Sequence, residues 1–399
     1  MMASRRNLGI GAAFVVALLG LAVAESALER ASAAQSNKTV QAPRFEVDPY
    51  WPKPLPNHWV LGETIGLGID AQDHVWIVHR RDRLNSTEAA ADENPPAGAC
   101  CSKAPPVLEF DPAGNLVGHW GGPGEGYEWP LSNHGIFVDH KNNVWIGGND
   151  AKDAHILKFT RNGKLLMQIG HQGQSRGSND VENFGRVAKI FVDPKSNEAF
   201  IADGYGNKRI VVIDADTGAF KRYWGAYGNK PDDTSLGSYN PDAPPAPQFR
   251  TPVHCADLSN DGLLYVCDRP NDRIQVFKSD GTFVKEVFVA RKTLGDGSVW
   301  DIAFSKDAQQ KYLYLADGKN EKIYIIQRDT MQILTSFGDG GRQPGQFFAV
   351  HSIATDSKGN IYTTETYEGR RLQKFVYKGL APVTKDDQGT VWPTAGKTK

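Results

Sequence analysis

His134, His254 and His351 are the residues of this chain best placed to do chemistry. Each stands five positions before the residue that opens a tight polar turn, Asp139, Ser259 and Asp356 respectively. Three neutral imidazoles that converge and leave a fourth position open are what a catalytic zinc ion requires, whereas structural zinc sites are closed by four protein ligands. Copper, nickel or iron would also accept imidazole, and zinc is the usual occupant of such a set. The competing reading is a plug of hydrogen-bonded polar side chains without metal. The other seven histidines (His58, His74, His79, His119, His140, His155 and His171) fall in turns, loops or strand ends, where a solvated imidazole is the expectation.

Convergence depends on the elements that carry the histidines. Six segments repeat one pattern, a β-branched strand, a polar turn and a second apolar strand. They read GLGID-AQDH-VWIVH (66–79), HGIFVD-HKNN-VWIGG (134–148), AKIFVD-PKSN-EAFIAD (188–203), HCADLS-NDG-LLYVCD (254–268), WDIAFS-KDAQQ-KYLYLAD (300–317) and HSIATD-SKGN-IYTTE (351–365). A third strand follows as HILKF, RIVVI, RIQVF, KIYII and LQKFV. A unit of roughly 45 residues, lengthened by inserted loops, is the size of a propeller blade. The expected fold is therefore all-β, a six-bladed β-propeller with almost no regular helix. The innermost strand of each blade lines the channel, so the second, fourth and sixth blades would bring their histidines together near one mouth. In the odd blades the same position is held by Ile65, Ala188 and Trp300.

The N-terminus breaks the pattern. Arg5 and Arg6 precede an uncharged run from Leu8 to Ala24, with small residues at Ala22/Ala24 and Ala31/Ala33. This is the layout of an export signal, placed at 1–33, and Ser4-Arg5-Arg6 loosely suits the twin-arginine route. A retained membrane anchor is the alternative, since the run is just short of a span. The expected organisation continues with an extended segment over 34–59, the propeller over 60–380 and a tail over 381–399, in a periplasmic or secreted protein. The formal charge of −1 supplies no basic face for nucleic acid, and no membrane contact is expected after signal removal. Cysteines of an exported chain can be oxidised. Cys255 and Cys267 lie equally far from Asp261 at the centre of a hairpin, as a cross-strand bridge or two buried thiols; adjacent Cys100 and Cys101 could bridge, bind a soft metal or stay free.

The run FVDPKSNEAFIADGYGNKRIVVID, the His-Arg pair in VWIVHRRD, the histidine strands HGIFVD, VHCADLS and VHSIATD, and PAPQF and QPGQF ahead of the fourth and sixth repeats resemble NHL-repeat propellers. More narrowly, they are similar to the peptidyl-α-hydroxyglycine α-amidating lyase family, over about Val60 to Val376. The resemblance implies a zinc-dependent, peptidylamidoglycolate lyase-like enzyme that cleaves a peptidyl-α-hydroxyglycine, or another small α-hydroxy acid, to an amide and glyoxylate. It implies zinc on His134, His254 and His351, the family's arginine on Arg80, with Arg81 as its double, and the family's tyrosine on Tyr205. In those roles zinc polarises the α-hydroxyl, a tyrosinate takes its proton and a guanidinium holds the carboxylate of glyoxylate. Three departures accompany the likeness. Ala349 stands where the family has methionine, Ser352 replaces an aspartate associated with bound calcium (Ca2+), and Gly185 and Gly206 replace a cysteine pair of the animal enzymes. No copper hydroxylase domain accompanies the repeats, so the hydroxyglycine would come from another protein. The alternative is a non-catalytic exported NHL propeller, with a structural metal or plug in its channel and a protein or peptide partner on its loop face.

Overall fold

The computed structural model describes residues 40–383 and the backbone of 389–390, so the expected export signal and most of the expected tail lie outside the described residues. Six antiparallel sheets follow one another along the chain, each a meander running outward from an inner strand. The inner strands are Glu63–Ile69, Asn133–Val138, Val187–Asp193, Val253–Leu258, Asp301–Phe304 and Val350–Thr355. Among the described residues helix is confined to short 3-10 turns, and no helix is long and apolar enough to cross a membrane.

The turn residues explain why the repeats share a register. The Asp70 carboxylate accepts the backbone N–H of Gln72 and His74 and the indole N–H of Trp76 at 2.9–3.0 Å. Asp139 does the same for Lys141, Asn143 and Trp145, and Asp356 for Lys358, Asn360 and the Tyr362 hydroxyl. A short carboxylate that caps its own hairpin fixes the loop length, hence the pairing of the two strands on either side. Counting back from that residue therefore lands on the same structural position in every blade.

The core lies between blades. Phe200 and Val212 of the third blade pack with Val253, Val266 and Phe277 of the fourth, all fully buried. Each such side chain contributes about 1.5–3 kcal/mol of apolar burial. At the loop end, ion pairs in the third, fourth and sixth blades tie the second strand to the incoming chain. Arg209, Arg273 and Arg371 pair with Asp203, Asp268 and Glu365 at 2.7–2.8 Å. The same guanidiniums donate to the carbonyls of Asn183, Gln248 and Gln346 in the loop that arrives from the preceding blade. Removing one partner of such a buried pair costs about 3–5 kcal/mol.

Two features go beyond the repeat read from sequence. Each blade has a fourth, outer strand, such as Leu116–Trp120 or Phe220–Trp224, half-exposed and without a clear apolar period. In the sixth blade this place is taken by Gln41–Asp48, which pairs antiparallel with Leu372–Pro382 and so closes the ring with residues from the segment read as an extended lead-in. Phe45 on this strand is fully buried, with its ring 5.4 Å from Tyr314 and 5.5 Å from Phe337.

The expectation of solvated imidazoles fails for His79 and His155, both fully buried. His79 Nδ1 accepts the Gly62 N–H and Nε2 donates to the Pro105 carbonyl, while His155 reaches the Glu128 carbonyl. Loops folding back over the strand ends enclose both rings. The bridge between Cys255 and Cys267 is present, as is one between Cys100 and Cys101.

Candidate metal centre

In five of the six inner strands the hydrogen-bond ladder is interrupted at the counted residue, which alone is skipped in four of them and is skipped together with Gly135 in the second blade. The skip falls at Ile65, His134, Ala188, His254 and His351. In the fifth blade Trp300 stands just before Asp301, the first residue paired by register. A bulge takes a residue out of the ladder and re-aims its side chain and its carbonyl. The even blades use the side chain, and the three imidazole centroids meet 4.8–5.2 Å apart. The odd blades use the carbonyl. Ala188 O lies 2.7 Å from His134 Nδ1, Trp300 O 2.5 Å from His254 Nδ1 and Ile65 O 2.8 Å from His351 Nδ1. Glycine lets the blades approach closely enough for this: a Cβ on Gly135 would meet the Ala188 carbonyl at 2.7 Å.

These contacts fix the tautomers. A carbonyl only accepts, so each ring carries its proton on Nδ1 and directs the Nε2 lone pair to the axis. One ligand nitrogen from each of the three lies within 4.8 Å of the others. Zinc bound at about 2.0–2.1 Å sets its ligand nitrogens roughly 3.4 Å apart, so a small contraction completes the site. Each histidine is at most 3 % exposed. Burial pushes all three well below the usual imidazole range, and neighbouring cationic groups, including Arg269, push in the same direction. The imidazoles are therefore neutral, as metal ligands must be.

Tyr205 completes the cluster. Its hydroxyl lies 2.9 Å from His134 Nε2 and 3.0 Å from His254 Nε2. One phenolic proton is thus shared between two of the three converging lone pairs, and this donor set fits a cation. The loop that carries Tyr205 is pressed onto the fourth blade, since a Cβ on Gly204 would lie 1.9 Å from the Val253 carbonyl. Where the animal enzymes have the cysteine pair, Gly206 N–H donates to the Gly185 carbonyl at 2.7 Å.

Arg80 stands further back. Its guanidinium is held by the Asn133 carbonyl, Glu63 and Asn149 at 2.8–3.0 Å, and it reaches the histidines through its charge. Arg81 lies in the following 3-10 turn. The arginine that touches the cluster is Arg269, which sequence reasoning missed. Its Nη1 donates to the Tyr205 hydroxyl at 3.3 Å, its guanidinium stacks 4.4 Å over the Trp300 ring, and its buried Nε has no hydrogen-bond partner. A signal existed: His79 and Asp268 occupy equivalent pairing positions, so Arg80 and Arg269 are counterparts in blades one and four, on opposite sides of the ring. By the same register Tyr367 in blade six is the counterpart of Tyr205 in blade three. Tyr367 is 43 % exposed and within electrostatic reach of Arg269, Tyr205 and Arg80. Beside the cluster, Gly206 and Pro270 open into a cleft of about 710 Å3 lined also by Leu236, Tyr239 and Leu294.

Calcium fits poorly. Ser352 Oγ donates to the Ile65 carbonyl at 2.7 Å. The carboxylates further along the channel, Asp257 and Asp301, already hold the Lys189 ammonium at 2.8 and 2.5 Å, and nearby Cys255 is in a disulfide.

Comparison with known proteins agrees with this architecture. No family model matches the chain. It is 26 % identical over 317 residues to peptidyl-glycine alpha-amidating monooxygenase A of Xenopus laevis, covering 77 % of this chain and 31 % of that protein. The chain thus spans about a third of the length of the amidating monooxygenases it matches. It is 24 % identical to NHL repeat-containing protein 3 of Mus musculus, covering 84 % and 85 % of the two chains. It is also 22 % identical to a probable peptidyl-alpha-hydroxyglycine alpha-amidating lyase of Caenorhabditis elegans, covering 78 % and 82 %. Among solved structures a streptogramin B lyase shares the fold, with a TM-score of 0.50 at 13 % identity over 84 % of this chain and 98 % of that one. The chain is a six-bladed β-propeller similar to peptidylglycine amidating enzymes, an NHL repeat-containing protein and a probable amidating lyase.

Proposed function

We propose that this propeller is an exported zinc-dependent lyase that cleaves a peptidyl-α-hydroxyglycine, or a closely similar α-hydroxy compound, to an amide and glyoxylate. The observation that carries the reading is the meeting of three neutral Nε2 atoms with one tyrosine hydroxyl that an arginine also contacts. Bound to His134, His254 and His351, zinc would supply a Lewis acid for the substrate's α-hydroxyl.

The protein's own groups account for the rest. Tyr205, acting as the tyrosinate, receives the hydroxyl proton, and Arg269 donates to the phenolic oxygen and balances its charge. As the α-carbon forms its carbonyl, the carbon–nitrogen bond breaks, its electron pair stays on nitrogen, and the proton is returned there. Products and substrate then balance without water. The substrate carboxylate finds Arg269 and Arg80 on opposite sides of the mouth, and its peptide portion follows the cleft of Leu236, Tyr239, Pro270 and Leu294. Export is supported by the N-terminal pattern and by two disulfides, which persist in oxidising compartments.

The test is direct. Zinc-loaded protein incubated with a synthetic peptidyl-α-hydroxyglycine should release glyoxylate in step with peptide amide. Release no greater than that of the metal-free protein would leave the non-catalytic binding module as the better reading.

A further inference from the structure

We propose that Lys189 is a positioning residue for the metal centre: its ammonium is the resident cation of the channel and sets the register of the carbonyls that orient the histidines. Lys189 follows Ala188, whose carbonyl holds His134. Asp301 follows Trp300, whose carbonyl holds His254. The ammonium joins Asp301 at 2.5 Å to Asp257 at 2.8 Å, and Asp257 lies on the same inner strand as His254. The other oxygen of Asp301 accepts the Ile353 N–H at 3.1 Å, two residues beyond His351. One cation therefore links the third, fourth and fifth blades, and through Asp301 the sixth, directly beneath the imidazoles.

The charges make this arrangement specific. The Lys189 and Asp257 side chains are each 14 % exposed and line a cavity of about 290 Å3, and the Asp301 side chain behind them is 3 % exposed. Two carboxylates in that position cannot both remain ionised and unpaired. Without the ammonium they must separate, take up a proton or recruit a divalent cation, and the first would shift the Ala188 and Trp300 carbonyls. His351 takes its carbonyl from Ile65 of the first blade, which the ammonium does not link, so its Nδ1–H serves as the comparison within the same protein although its own strand meets Asp301 at Ile353.

The inference concerns the same site as the proposed lyase, and two readouts keep them apart. In metal-free protein, NMR of the imidazole N–H groups should show protected Nδ1–H signals for all three histidines. In Lys189→Met the signals of His134 and His254 should lose protection while that of His351 keeps it. Zinc affinity, measured by competition with a chromophoric chelator, should fall at least tenfold. Millimolar calcium should raise the melting temperature of Lys189→Met and leave that of the wild type unchanged. If Lys189→Met fails to fold, a variant that also carries Asp257→Asn and Asp301→Asn removes all three charges and tests the same N–H protection and zinc affinity. Wild-type protection of His134 and His254, with undiminished zinc affinity, in a folded variant would overturn the proposal. A wild type that takes up no zinc would instead overturn the metal reading, while the N–H signals would still judge Lys189.

Discussion

The histidine layer and the ammonium layer of the channel share the fourth inner strand, which carries His254 and Asp257, and meet at adjacent residues in the third and fifth blades, Ala188 beside Lys189 and Trp300 beside Asp301. In the first, burial is tolerated because the side chains are neutral, each with one nitrogen bonded to a carbonyl and the other directed to the axis. In the second, one buried ammonium is shared between two carboxylates, and burial raises both carboxyls above the usual range, with repulsion from Asp301 adding to it at Asp257. The first layer has lone pairs to offer a metal, and the second has already spent its charge on itself. Buried polar groups alone therefore do not mark a metal site. The separating feature is whether donors and acceptors are exhausted within the protein.

The largest effect that would break this contrast is loss of a ligand. His254→Ala should reduce bound zinc from stoichiometric to near background by elemental analysis and abolish glyoxylate release; unchanged metal content would return the cluster to a hydrogen-bonded plug. Tyr205→Phe comes next. It should lower turnover by about 10²–10⁴-fold, the usual worth of a positioned proton-transfer group, while zinc content stays at wild type. Loss of zinc in that variant would mean that the phenol serves the metal and not the proton. Arg269→Met should lower kcat/KM by roughly ten- to a hundredfold, the range of a lost hydrogen bond from a charged group. A comparable loss in Arg80→Met with none in Arg269→Met would reverse the roles given to the two arginines.

The smallest effect sharpens the comparison with a third kind of buried imidazole. His79 has both nitrogens bonded inside the protein, and burial lowers its pKa to about 4 from 6.5. In the unfolded chain it takes a proton as pH falls through 6.5, whereas the folded protein refuses it until about 4. Its contribution is thus complete above 6.5 and is lost between 6.5 and 4, about 3 kcal/mol in all. Denaturant unfolding across this window should show that slope, and His79→Asn should flatten it; an unchanged slope would assign the acid sensitivity to other groups.

Much of this was legible because the repeat is measured from residues that fix their own geometry. Asp139 and Asp356 cap their hairpins, so five residues back is a structural position as well as a sequence offset. Tyr205 was legible through likeness to a family. Arg269 was overlooked although it follows the fourth segment as Arg80 follows the first, because its place on the Tyr205 hydroxyl appears only in the folded structure. The outer strands escaped notice because half-exposed segments such as Leu116–Trp120 carry little apolar period. Gln41–Asp48 escaped because a closing strand belongs to no repeat. His79 and His155 look like loop-side residues, and packing of remote segments buries them.

By itself the sequence determined six hairpins with a common register and a histidine at the same place in alternate copies, since hydrophobic alternation and turn chemistry act over a few neighbouring residues. Only the tertiary structure decided that breaks in the ladder would turn three side chains inward, that the Ile65, Ala188 and Trp300 carbonyls would meet them, that Arg269 would lie on Tyr205, and that Lys189 would fill the channel below. Those outcomes depend on the distances between blades, which closure of the ring sets and no local pattern encodes.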